Sequence, residues 1–177
     1  MEITIKTERL LLRPIEISDL ETTHRYASDR ENCRLMVFLP NNTKEETLDY
    51  LKEAETEWQK PTPGYYEFAV VYEGVHIGCV SLYPDDKAKS AELGWILESG
   101  QHGRGFAAEA ASALMGYARD HLGISVFIAH CDTENTASRR VMEKLGMKLI
   151  SESGGRRNRL SDEERMEYLY GMDFTVS

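Results

Sequence analysis

Residues Glu98–Ala110 read ESGQHGRGFAAEA. Gly100, Gly103 and Gly105 run without interruption into an alanine-rich stretch. Glycine packs nothing and loses more conformational freedom on folding than any other residue. Placed directly before a strong helix former, it allows a ligand close approach to the backbone. The first N–H groups of a helix attract anions, phosphate above all. The stretch therefore reads as a strand-to-helix turn built for a phosphate. The plainer alternative is a tight turn and nothing more.

On its N-terminal side, SAELGWIL (90–97) alternates as a strand. Ala91, Leu93, Trp95 and Leu97 share one face, and Ser90, Glu92, Gly94 and Ile96 the other. On its C-terminal side, Ala107, Ala110, Ala111, Leu114, Ala118 and Leu122 form one helical stripe that Gly123 ends. ISVFIAHC (124–131) is a buried strand by its β-branched and aromatic content. A second stripe, Ala137, Val141 and Leu145, closes on a C-cap glycine, Gly146. MKLISES and MEYLYGMDF then predict two last strands around the polar GGRRNRLSDEE.

Upstream, residues 3–15 alternate as one strand. Ser18–Glu21 and Thr43–Glu46 are capping-box patterns, each predicting a helix, the second carrying Leu48, Leu51, Ala54 and Trp58 at helical spacing. PTPG (61–64) breaks the chain. YEFAVVYE and HIGCVSLY flank Gly74 as a hairpin, and Pro84-Asp85-Asp86-Lys87 reads as the next turn. The order predicts an α/β (α+β) fold: a mixed, mostly antiparallel central sheet of about six to seven strands flanked by helices, in a single domain over 1–177.

The 177-residue chain is 41% hydrophobic and 29% charged, with no repeat and no linker to divide it. No run approaches the roughly 18 apolar residues of a membrane span. MEITIKTERLLLRPIE reads as a strand, not a signal peptide. Cys33, Cys79 and Cys131 are an odd number without metal spacing, and the five histidines show no ligand spacing. The expectation is a cytoplasmic protein with structural thiols and no metal. A net charge of -9 disfavours a nucleic-acid surface and suits an amine-bearing partner.

Walker-type chemistry needs GxxxxGK followed by Ser or Thr, and no such string exists. The dinucleotide fingerprint fits better: Gly103–Ala108 reads GxGxxA, and Asp132 follows the next strand. Against it, the segments before the loop look like hairpins rather than βαβ units, and too little chain follows Asp132 for a doubly wound sheet.

The combination SAELGWIL-ESGQHGRGFAAEA followed by HCDTENTASRRVMEKLGM resembles the GNAT superfamily of acetyl-CoA-dependent N-acetyltransferases. More narrowly it is similar to the ribosomal-protein N-terminal acetyltransferase (RimJ/RimL-like) branch, as is TERLLLRPIEISDLE near the start. The resemblance covers almost the whole chain. One departure is visible: the family's Gln or Arg three residues before the loop glycine is Gly100 here, with Gln101 one place late.

The resemblance implies acetyl transfer from acetyl-CoA, which leaves as CoA, to an amine. Such a reaction must deprotonate the ammonium, stabilise the oxyanion and protonate the departing thiolate. Pyrophosphate is expected on the backbone of Gln101, His102, Gly103, Arg104, Gly105, Phe106 and Ala107. Glu92, a carboxylate within an apolar strand beside Gly94, is the candidate base; otherwise it is a solvent-facing or Arg-paired glutamate. By resemblance Asn135 binds the pantetheine arm, Ser138 lies near the sulfur as acid, and Ile96 or Leu97 lends a backbone N–H to the oxyanion. Asn135 is equally a plain N-cap. Tyr168 and Tyr170 are rival acids. Arg104 and Lys144 are candidate phosphate cations or solvated charges. Cys131 is a conceivable nucleophile but is expected as a buried structural thiol. The acceptor is expected to be a protein N-terminal α-amine or a small-molecule amine (polyamine or amino-sugar type), with a homodimer as the assembly considered. The non-enzymatic alternative is an acyl-CoA sensor module.

Overall fold

A computed structural model describes residues 3–85, 87 and 89–175. Eight strands form one continuous sheet: β1 (Ile5–Lys6), β2 (Leu10–Pro14), β3 (Tyr66–Tyr72), β4 (Val75–Asp85), β5 (Ser90–Leu97), β6 (Val126–Asp132), β7 (Lys148–Arg156) and β8 (Arg165–Asp173). Their spatial order is β1-β2-β3-β4-β5-β6-β8-β7. Every neighbouring pair is antiparallel except β5 and β6. That parallel pair is joined by a crossover helix, as parallel strands require.

The count exceeds the expected six or seven because residues 3–15 are two strands. Thr7 interrupts them: its Oγ1 accepts from Leu10 N at 2.8 Å, and its own N–H donates to Leu10 O. This turns the chain back so that Ile5 faces Leu12. Alternation alone does not register such a turn, because both halves keep period two.

Helices α1 (Leu20–Ala27) and α2 (Lys44–Trp58) cover one face of the sheet. Leu51 and Ala54 pack with Tyr26, Ala69 and Cys79 there. Helix α3 (Phe106–Leu122) covers the opposite face, where Ala110, Ala111, Leu114 and Ala118 meet Phe68, Val80, Leu93 and Phe127. Thr43 caps α2 as expected, accepting from Glu46 N, while Glu46 returns to accept from Asn42 N. The cap before α1 is displaced. A 3-10 turn at Ile17–Asp19 precedes the helix, and Asp19 accepts from Glu16 N at 3.0 Å, so Glu16 and Asp19 form the box instead of Ser18 and Glu21. Arg13 also holds Asp19, at 2.7 Å, which fixes the acid there.

The turn expected at Pro84–Lys87 starts later. Pro84 and Asp85 still pair with Ala91 and Ser90 at the end of β4, and Asp86 lies outside the described residues. Helix α4 (Thr136–Lys144) holds the other surprise. Of its stripe only Leu145 packs against the core, partly buried, while Ala137 and Val141 do not; Met142 is the fully buried residue. What Ala137 and Val141 face is a cavity.

Candidate active site

β5 and β6 pair at only three positions: Ser90 with Val126, Ala91 with Phe127 and Glu92 with Ile128. Beyond Glu92 the strands part. From Leu93 to Leu97, β5 stays paired with β4 but, among the described residues, has no strand on its other edge. An unpaired edge offers backbone donors and acceptors to an extended ligand. Helix α3 leaves from the end of β5 and α4 from the end of β6, so both N-termini flank the split.

A cavity of about 480 Å³ fills this split. Ten of the sequence-derived site residues line it: Ile96, Leu97, Gln101, His102, Gly103, Gly105, Phe106, Ala107, Asn135 and Ser138. Trp95, Asn32, Met36, Arg140 and Lys144 line it too. Asn32 and Met36 come from the loop after α1, whose role no motif signals. Its tie is visible only in space: Asn32 Nδ2 donates to Leu97 O at 2.9 Å. His102 joins the same carbonyl through Nε2 at 3.1 Å, pinning the loop to the strand end.

The loop itself has the expected build. Gly103 and Gly105 have φ of 74° and 80°, which L side chains rarely adopt. Gly105 is the N-cap of α3. A Cβ on Gly105 would stand 3.0 Å from Lys144 Nζ and 3.5 Å from Arg9 Nη2. The loop thus lies directly under an ammonium, and Lys144 has no acidic partner among the described residues. Glycine backbone, helix N-terminus and an unpaired cation together suit a diphosphate. Of the two sequence-derived cations, Lys144 lies over the loop and lines the cavity. Arg104 does not. It stacks over Tyr72 and Phe106, donates to Gln101 Oε1 at 2.8 Å, and does not line the cavity.

At the other wall, Asn135 is the N-cap of α4, its Oδ1 accepting from Ser138 N at 3.0 Å. The capping role is real and leaves the Asn135 amide nitrogen for other contacts. Ser138 Oγ has no hydrogen-bond partner among the described residues and borders the cavity. Tyr168 and Tyr170 lie elsewhere. Tyr170 is buried, its phenol pushed up by burial and 3.5 Å from Glu143; Tyr168 packs against the same core. Cys131 is free and buried, and burial pushes its thiol up to about 11. At neutral pH it is a thiol, not a nucleophilic thiolate.

Glu92 does not line the cavity. Its side chain stands at the last paired position before the split, on the face away from Ala91 and Leu93. There it meets His130 of β6, whose Nδ1 is 2.8 Å from Glu92 Oε1. His130 escaped the sequence reading because a single histidine in an apolar strand carries no spacing signal. Its partner is 38 residues away and adjacent only through the parallel pairing.

Asp132, the dinucleotide candidate, is fully buried. Burial alone would raise its pKa, but Arg165 at 2.7 Å, the Glu134 N–H and Asn158 outweigh that and lower it to about 2. It is committed to tying the β7–β8 loop to β6 and is not free for a ribose. No group of His, Cys, Asp and Glu among the described residues has the arrangement to hold a metal ion.

The model of the acetyltransferase (GNAT) domain matches residues 9–148. An uncharacterised N-acetyltransferase of Bacillus subtilis is 29% identical over 148 residues, covering 81% of this chain and 82% of that protein. The crystal structure of a GNAT-family acetyltransferase from Bacillus anthracis superposes with a TM-score of 0.83 at 27% identity, covering 98% of this chain and 99% of that one. RimL, a ribosomal L7/L12 alpha-N-protein acetyltransferase solved with coenzyme A, shares the fold at TM-score 0.86 and 19% identity, over 99% and 100% of the two chains.

Proposed function

This chain belongs to the GNAT acetyltransferase family and uses acetyl-CoA as its acetyl donor; on that premise we propose that it acetylates the α-amine of a protein N-terminus, with Glu92 as base and Ser138 as acid. The observation that carries the reading is the split between β5 and β6. It sets the loop and Lys144 at one end of a single cavity, the free Ser138 hydroxyl along its wall, and the Glu92 carboxylate at the vertex on the other face.

Acetyl-CoA bound there supplies an activated acetyl group and a thiolate leaving group. The chain's residues have separate tasks. The backbone from Gln101 to Ala107, with Lys144, holds the phosphates. The open edge of β5 near Ile96 and Leu97 aligns the pantetheine arm as an added strand and offers the N–H for the oxyanion. Glu92 takes the proton that the amine loses as its nitrogen bonds to the acetyl carbon. Ser138 gives a proton to the sulfur as the C–S bond breaks and recovers one from water.

For the acceptor, an α-amine has a reference pKa of about 7.7 to 8.0 and asks less of a carboxylate than an alkylamine does. Asn32 and Met36 of the loop after α1 line the cavity. Main-chain bonding of Arg159 to Met36 O joins that loop to the one after β7. The named activity of RimL is of the proposed type. A thioester-cleavage assay over ribosomal N-terminal peptides, polyamines and amino sugars tests the reading. Turnover with peptides and none with polyamines supports it. Turnover restricted to small amines replaces the acceptor. Acetyl-CoA binding without turnover on any amine turns the protein into a sensor. Glu92→Gln with unchanged turnover removes the base.

A further inference from the structure

The base proposed above is not a lone carboxylate. Glu92 Oε1 lies 2.8 Å from His130 Nδ1, and the contact crosses the last paired rung before β5 and β6 separate. His130 occupies that place because Glu92 pairs with Ile128, and the next residue on the same face of β6 is His130. The imidazole is only partly exposed, and so is the carboxylate.

His130 has a second acidic neighbour. Its Nε2 is 3.9 Å from Glu167 Oε1 on β8, in the register that places Asp132 opposite Glu167. Glu167 is itself held by Arg156 of β7 at 2.6 Å. The groups facing His130 are therefore Glu92 from β5, Glu167 from β8, and the Arg156 guanidinium behind it. This order is directional. Glu167 is tied to a permanent cation and is not free to swing toward Glu92 or its substrate. Glu92 has no other hydrogen-bond partner among the described residues.

We infer that His130 is the positioning residue of the proton acceptor, holding the Glu92 carboxylate through Nδ1–H and setting its basicity by the charge on the ring. The inference rests on Glu92 being the base. A carboxylate on a mobile side chain samples several rotamers, and one donor from a strand selects one of them. The ring charge then tunes it. As imidazolium, His130 stabilises the carboxylate anion and makes it a poorer proton acceptor. As neutral imidazole it still donates Nδ1–H, but the acceptor is stronger. The hydrogen bond to Glu92 raises the His130 pKa above 6.5, burial opposes this, and Glu167 adds to the rise. The sign follows: the protonated ring persists to higher pH than in a free histidine, so proton abstraction strengthens as pH rises through a value above 6.5.

Asparagine is the informative substitution. Its Nδ2 stands close to where His Nδ1 stands and donates the same hydrogen bond, but it does not titrate. His130→Ala removes both properties. The measurement is kcat/KM for the best acceptor from pH 5.5 to 9 in wild type, His130→Ala, His130→Asn, Glu92→Gln and Glu92→Gln/His130→Ala. The KM for acetyl-CoA is recorded beside it. The wild-type to His130→Asn ratio cancels the titration of the acceptor amine.

His130→Ala is expected to lose about tenfold in kcat/KM at pH 8, the scale of one hydrogen bond to a partly exposed charged group. Its KM for acetyl-CoA should stay within twofold. His130→Asn recovers most of that loss, and the wild-type to Asn ratio falls as pH drops below the His130 pKa. In the Glu92→Gln background the alanine substitution costs nothing further, since His130 acts through the carboxylate. A tenfold loss that persists in that background overturns the inference, as does a flat ratio. Wild-type kcat/KM in His130→Ala overturns it while Glu92 remains the base. Wild-type kcat/KM in Glu92→Gln overturns the base itself, so the two failures are told apart.

Discussion

Gly105→Ala tests the proposed cofactor loop most directly, because the structure separates its effect on folding from its effect on binding. Gly105 has φ of 80°, in the left-handed region. A Cβ there costs about 1–2 kcal/mol. For a chain of this length that lowers Tm by about 2–8 °C. The steric part is small for the fold, because the nearest atom is Lys144 Nζ at 3.0 Å, the end of a flexible side chain, and Arg9 Nη2 at 3.5 Å is in ordinary contact. It is not small for the ligand. The ammonium must leave the position directly over the loop, and the loop loses its close approach to phosphate. We expect CoA affinity to fall about tenfold, or about 1.4 kcal/mol. Lys144→Ala removes the same cation without backbone strain. Lys144 is exposed, so its loss should cost only about fivefold, within the range of an exposed charge contact, with Tm unchanged within about 1 °C. The assay is calorimetric titration with CoA at 25 °C, with thermal melts alongside. The double variant should bind about as weakly as Gly105→Ala alone, since one ammonium is lost twice. A Gly105→Ala protein that melts lower yet binds CoA like wild type would refute the placement of the phosphates on this loop.

Ser138→Ala should lower kcat by about 10- to 100-fold with the KM for acetyl-CoA within twofold; the cap survives, because Asn135 binds the Ser138 backbone N–H rather than its hydroxyl. Asp132→Ala should lower stability by about 3–5 kcal/mol, read as a drop of about 6–20 °C in Tm, because Arg165 and Asn158 lose a fully buried acceptor. The same carboxylate sets an acid limit. Its pKa is about 2 in the fold against an ordinary 3.8, so its stabilisation is present above pH 3.8 and is lost as pH falls toward 2. That is about 2 kcal/mol, visible as a Tm decline between pH 4 and 2 that Asp132→Asn lacks. With its thiol near 11, Cys131 should react slowly with iodoacetamide at pH 7.5, and Cys131→Ala should keep turnover within threefold; an acetylated Cys131 found by mass spectrometry would contradict this.

Local patterns carried most of this protein. The alternation in SAELGWIL, the glycine-to-alanine passage at 103–110, the cap at Thr43 and the stripe of α3 are all short-range consequences of side-chain size and backbone freedom, and they lie where the pattern puts them. Eight loop and helix-start residues named from two motifs line one cavity with Ile96 and Leu97 of β5, because each motif is contiguous and brings its own geometry. Other features needed the third dimension. The turn at Thr7 keeps the strand period on both sides and so is silent in sequence. Ala137 and Val141 of the α4 stripe read as core but border the cavity, since period shows that a face is apolar and not what lies against it. Arg104 and Lys144 are both cations near the loop, yet an aromatic pair draws Arg104 away while the helix carries Lys144 over Gly105. Asn32, Met36 and His130 join the site from segments with no motif of their own. Sequence by itself determined most of the elements and the glycine-rich turn that starts α3, which depend on neighbours a few residues apart. Only the tertiary structure decided where β5 and β6 diverge and which side chain meets Glu92, because those depend on register between strands that a whole helix separates.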